Sequence, residues 1–147
     1  MQKLPDSRRY LVTSHDAFNY FTKAYLANDG EREQNNWVER FAAPEGLAPE
    51  SQISSKDIQD ILDYLNKYQI QTIFFESNVS KSSIRKIVDS GQQKGINVKI
   101  AEKPLFADAM GGEGSGCETY LQMMEHNASS IFQCLEADDK SVSDGGK

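Results

Sequence analysis

Tyr10-Leu11-Val12-Thr13-Ser14-His15-Asp16-Ala17-Phe18 is the stretch that decides the fold. Residues 8–14 are rich in β-branched and aromatic side chains and read as a strand. A small polar turn follows at once. Phe18, Phe21, Ala24 and Tyr25 then recur at helical spacing, with Asp16 placed to cap that helix. Strand, tight turn and helix make the opening of a parallel α/β unit. In such a sheet His15 falls at the carboxyl edge of the first strand, where ligands bind.

The same alternation continues outward. Asn28-Asp29-Gly30 is a turn signal, and polar residues 28–36 predict an exposed loop. Residues 37–42 alternate apolar and polar as a short edge strand does, and Pro44, Gly46 and Pro49 break it. Ser54 with Asp57 has the spacing of a capping box. Ile58, Ile61, Leu62, Leu65 and Tyr68 then form one helical stripe. The third strand, residues 71–75, contains Ile73-Phe74-Phe75 without alternation, as a strand covered on both faces does. Ser80 is expected to cap the next helix, with Ile84, Ile87 and Val88 inward and Lys94-Gly95 at its end. Residues 96–100 make a fourth strand, and a loop follows over 104–116. In the last helix, 118–136, the apolar stripe is Leu121, Met124, Ala128, Ile131, Phe132 and Leu135. His126 reads as exposed there, and Asn127 is expected to bond a neighbouring loop. Residues 138–147 read as a polar, frayed tail. The order βαβαβαβα predicts an α/β fold: a single domain, a four-stranded parallel sheet with helices on both faces.

Composition bounds the function. A chain of 147 residues, 38% hydrophobic and 26% charged, is one globular domain with a real core. The net charge of −6 argues against a nucleic-acid partner, since phosphate binding needs a basic face. No apolar run approaches the roughly 20 residues that a spanning helix needs, so stable membrane insertion is not expected. Residues 1–9 have no apolar signal-peptide core. Cys117 and Cys134 flank one helix and would stand roughly 25 Å apart, too far for a disulfide.

By the same carboxyl-edge rule, His15 after the first strand, Glu76 after the third and Asp108 in the loop after the fourth converge. One imidazole with one or two carboxylates is a donor set for a divalent transition metal. Each residue also has a plain structural reading: His15 as a hydrogen-bonding core residue, Asp108 as a loop or capping aspartate, Glu76 as the partner of a base or of backbone N–H groups. Ser14-His15-Asp16 has the residue types of a hydrolase triad, but adjacent residues cannot take up triad geometry. The run Gly111-Gly112-Glu113-Gly114-Ser115-Gly116 follows no phosphate-binding pattern and reads as a flexible helix entry.

Four segments in order carry a family resemblance. Leu11-Val12-Thr13-Ser14-His15-Asp16-Ala17-Phe18-Asn19-Tyr20-Phe21 resembles the motif that opens the C-terminal lobe of the TroA-like family, the metal-specific solute-binding proteins of bacterial ABC importers. Phe74-Phe75-Glu76-Ser77-Asn78-Val79-Ser80 resembles the third strand of that lobe. Leu105-Phe106-Ala107-Asp108-Ala109-Met110-Gly111 resembles its metal-binding loop, and Thr119-Tyr120-Leu121-Gln122-Met123-Met124-Glu125-His126-Asn127 its final helix. Residues 28–49 fit less well and look like a local insertion.

The resemblance implies that the chain is one lobe of a bilobal protein that holds zinc, manganese or iron between its lobes and passes it to an ABC permease, without enzymatic activity. By position His15 and Asp108 become two metal ligands. Glu76 stands where it can orient a ligand by hydrogen bonding. Residues 1–9 are expected to be the end of an interlobe linker, 10–137 the C-terminal metal-binding lobe and 138–147 a flexible tail. The N-terminal lobe, with its own ligands and any export signal, is expected outside these residues. The intact protein is expected to be periplasmic or otherwise extracytoplasmic. Two ligands cannot complete a four-coordinate site, so metal binding by this chain alone is expected to be weak. His15 must be neutral to ligate, so capture is expected to weaken in acid. The alternative is a flavodoxin-like interaction module in which His15 and Asp108 are structural.

Overall fold

Two pairs of parallel strands carry the fold in the computed structural model, which describes residues 1–44, 53–77, 79–107 and 110–145. Strand β1 (Leu11–Val12) pairs with β2 (Phe41–Ala42), and β3 (Thr72–Ile73) with β4 (Lys99–Ile100). Where the sequence predicts a single four-stranded sheet, the ladders form two two-stranded parallel sheets. Between them stand a parallel bridge, Thr13↔Phe74, and a bond from the Phe74 N–H to Val12 O of 2.9 Å. The ladders are shorter than the strand-like sequence, and parallel pairing continues beyond them only as single bridges, Thr13↔Phe74 and Glu76↔Leu105, among the described residues.

Helical segments cover both sides. Helix α1 (Asn19–Phe21) continues as a π-helical turn over Thr22–Leu26, and α2 is Asp29–Gln34. After β2 come α3 (Ser55–Tyr68), α4 (Ser82–Gln93) and, last, α5 (Tyr120–Gly145). Successive strand residues point to opposite faces. Val12, Ile73 and Phe75 therefore enter one core with Ile61, Leu62 and Leu65 of α3 and Ile84, Ile87 and Val88 of α4. Leu11, Phe41 and Phe74 enter the other, with Phe18, Phe21 and Leu26 from the first helical segment and Ile131 and Leu135 of α5. This double burial is why Ile73-Phe74-Phe75 is apolar without a break.

The capping box of α3 forms as its spacing predicts: Ser54 accepts from the Asp57 N–H at 3.1 Å, and Asp57 accepts from the Ser54 N–H at 3.2 Å. Gly91 is required by contact. A Cβ there would sit 3.0 Å from Val98 Cγ1 and 3.1 Å from Leu62 Cδ2, so the glycine lets α4 lie close to α3 and the chain leading into β4.

Several local expectations are corrected. Residues 28–36 are not a loop: Asn28 and Glu31 form a capping box, with bonds of 2.9 and 3.0 Å, and open α2. Residues 36–40 are a 3-10 turn, so the edge strand is only Phe41–Ala42. In the first helical segment the π-turn bond from the Ala27 N–H to Thr22 O inserts an extra residue per turn. It brings Leu26 into the core and leaves Tyr25 exposed. Asp16 takes no helix-capping bond; its carboxylate accepts from the Asn19 side-chain amide. The first strand starts later than residue 8, because Asp6–Arg8 form a 3-10 turn. Ser80 lies two residues before α4 and accepts from the Ser82 N–H at 3.2 Å. Leu121 is exposed.

Helix α5 outruns its apolar stripe. Residues 138–145, expected as a tail, continue the helix. Asp138 is buried and accepts from the Thr72 hydroxyl at 2.7 Å, with Lys99 Nζ 3.2 Å from its other oxygen. Asp139 pairs with Arg8 at 3.1 Å, and the Ser141 hydroxyl donates to Gln71 at 2.9 Å. Polar side chains hold this end of the helix, which is why hydrophobic periodicity does not reveal it.

Candidate metal centre

His15 stands one turn beyond β1, half-buried, and its backbone is pinned from two sides. The Thr13 hydroxyl donates to His15 O at 2.6 Å, and the Ala17 N–H donates to the same oxygen at 3.0 Å. A carbonyl held by two donors fixes the turn that presents the imidazole. All the strand pairings are parallel, so the ends of β1, β3 and β4 lie on one edge.

Glu76 reaches that edge from the end of β3. Its backbone bridges Leu105 in parallel register, and the Ser77 N–H donates to Leu105 O at 2.8 Å. The side chain is fully buried. Ser14 meets it twice: its hydroxyl donates to the Glu76 carboxyl, and it accepts from the Glu76 N–H at 3.2 Å. Burial pushes the Glu76 carboxyl above the ordinary carboxylate range. The Ser14 and Thr13 hydroxyls, its own backbone N–H and the charge of His15 work in the opposite direction. Glu76 Oε1 has no hydrogen-bond partner among the described residues. The structure therefore joins the His15 turn to the end of β3 through Ser14, an immediate neighbour of His15.

Asp108 lies outside the described residues. What precedes it is well held. The Leu105 N–H donates to Phe75 O at 2.8 Å, and Phe106 is gripped by Asn127 of α5: Asn127 Oδ1 accepts from the Phe106 N–H at 3.0 Å and Nδ2 donates to Phe106 O at 2.6 Å. This is the loop contact expected of Asn127. His126, expected as exposed, is half-buried instead; its Nε2 lies 2.8 Å from Pro104 O and its ring meets Phe106 edge-on. Among the described residues no group of three or more His, Cys, Asp or Glu side chains is placed to hold a metal ion. Both cysteines are free thiols.

Ser14 and Thr13 are the site residues that motif reading undervalues. Strand alternation was the available signal. Counting by two from buried Val12 directs Ser14 inward as well, and an inward serine needs a polar partner.

Comparison with known proteins gives this edge its context. Residues 1–134 match the family described as "Zinc-uptake complex component A periplasmic", ZnuA. The chain belongs to the ZnuA family. Metal-binding protein YtgA of Chlamydia muridarum is 39% identical to it over 132 residues, 90% of this chain and 38% of the relative. Manganese-binding lipoprotein MntA of Bacillus subtilis is 35% identical over 133 residues, 90% of this chain and 39% of the relative. The crystal structure of Fe(III)-bound YtgA from Chlamydia trachomatis superposes with a TM-score of 0.79 at 35% identity, covering 91% of this chain and 44% of that one. This ZnuA-family chain thus spans about two fifths of the length of the curated relatives it matches. The flavodoxin-like alternative is not favoured, because both the family match and the superposition lead to metal-binding proteins. No helix among the described residues is long and apolar enough to cross a membrane.

Proposed function

We propose that this chain is the C-terminal metal-binding lobe of an extracytoplasmic solute-binding protein that captures zinc, manganese or iron and delivers it to an ABC permease. In this reading the protein does no covalent chemistry. The two parallel sheets act as one four-stranded platform whose carboxyl edge faces a second lobe. His15 and Asp108 supply two ligands, and a second lobe supplies the rest. Glu76, with Ser14, orients the His15 turn from beneath, the supporting role that metal sites depend on.

The observation that carries the reading is the His15 turn. It sits at the carboxyl edge of β1, its carbonyl held by Thr13 and Ala17, and it is tied through Ser14 to a fully buried carboxyl group. Burying a carboxyl at a turn costs free energy unless it is bonded, so such a pair at a ligand edge argues for positioning.

Calorimetric titration of the chain with Zn²⁺ and with Mn²⁺ tests it. The expected result is weak, one-to-one binding that disappears in His15→Ala. Submicromolar affinity would mean that the chain completes the site by itself. Undiminished binding by His15→Ala would remove His15 from the site.

A further inference from the structure

We propose that Asn127 is the positioning residue of the capture loop, its side-chain amide standing in for a missing neighbour strand where the chain leaves β4. This rests on reading His15 and Asp108 as metal ligands.

Residues 105 and 106 are bonded on opposite sides. Leu105 faces the sheet, its N–H donating to Phe75 O and its O accepting from the Ser77 N–H, both at 2.8 Å. By strand alternation the N–H and C=O of Phe106 point the other way, past β4, where the described ladders hold no further strand. Both groups are taken by one side chain. Asn127 donates to the oxygen at 2.6 Å and accepts from the nitrogen at 3.0 Å, the pair of bonds a neighbouring peptide would make.

Asparagine has little reason to lie in the middle of a long helix at 1% exposure. The two bonds to Phe106 supply that reason. His126 adds a contact to Pro104 O at 2.8 Å, so adjacent residues of α5 hold the stretch from Pro104 to Phe106. On the far side the Gly111 N–H donates to the carbonyl of buried Cys117 at 2.8 Å. Described residues on either side of position 108 are therefore bonded, Phe106 to Asn127 and Gly111 to Cys117. Asn127 acts on metal affinity by fixing the backbone two residues ahead of Asp108, without touching the ion.

The test is a Zn²⁺ titration of the full chain and its variants. Asn127→Asp preserves shape and the acceptor but sets an oxygen against Phe106 O. It should weaken Zn²⁺ binding roughly tenfold while circular dichroism reports a folded chain, and it should speed exchange of the Phe106 amide. The deciding measurement is a double-mutant cycle. In an Asp108→Ala background, Asn127→Asp should cost no further affinity, because it acts through residue 108. Unchanged affinity in folded Asn127→Asp, or an equal loss with and without Asp108, overturns the proposal. So does loss of folding in both Asn127→Asp and Asn127→Ala, which would make the residue a general structural one. If Asp108→Ala and His15→Ala both bind Zn²⁺ as the parent chain does, the metal reading itself has failed, an outcome distinct from failure of Asn127 alone.

Discussion

Ser14 does more at this edge than its place beside a histidine suggests. One hydroxyl satisfies both a carboxyl oxygen and the backbone N–H of Glu76, and both groups are buried. Ser14 bonds Glu76 Oε2, while Oε1 has no hydrogen-bond partner among the described residues, so Ser14 is the principal support of that carboxyl. Ser14→Ala should destabilise the chain by about 1–3 kcal/mol, the cost of leaving buried polar groups unmade. Urea unfolding with an unchanged m value measures this. A loss below about 0.5 kcal/mol would place the Ser14–Glu76 contact among ordinary surface bonds.

At the scale of elements, the polar stretch 28–40 is a clamp. Glu31 closes the capping box of α2 and also receives Arg40 side-on, Nε to Oε2 at 2.6 Å and Nη2 to Oε1 at 2.8 Å. Arg40, almost fully buried, continues to the carbonyls of Asp6 at 2.6 Å and Arg9 at 3.2 Å. One guanidinium thus ties α2, the entry to β2 and the entry to β1. The Arg40 bonds hold the Glu31 carboxyl below the usual carboxylate range, against a smaller opposing effect of burial. A carboxyl depressed in the folded chain adds stability above its unfolded value and loses it as pH falls through the folded one. Glu31→Gln should therefore cost about 2 kcal/mol near neutrality, and the gap to the parent should shrink below about pH 4.3. Urea midpoints at pH 7 and pH 3.5 check it, and a gap of the same size at both would contradict the assignment.

At the scale of the molecule, the carboxyl edge is where the strand ends, the His15 turn and the segment leading to Asp108 meet, while polar contacts of α5 secure the opposite end. Metal bound at that edge should stabilise the folded chain by mass action. Zn²⁺ at about 100 times its dissociation constant should add about 2.7 kcal/mol. Thermal unfolding with Zn²⁺, with chelator, and in His15→Ala measures this. A metal-dependent rise that survives His15→Ala would locate binding elsewhere.

The sequence by itself determined the alternation of strands and helices, the two-faced burial of Ile73-Phe74-Phe75, the Ser54 cap and His15 at a strand end. These follow from local periodicity and from side chains that bond within a few residues, which a sequence displays directly. Tertiary structure alone decided that Arg40 is buried behind α2, that α5 continues through Asp138, and that Ser14 serves Glu76. Each depends on a partner far along the chain: Arg40 with Asp6, Thr72 with Asp138, Ser14 with Glu76. A polar residue reads as exposed until its partner is known, because burial becomes affordable only when the hydrogen bond is made.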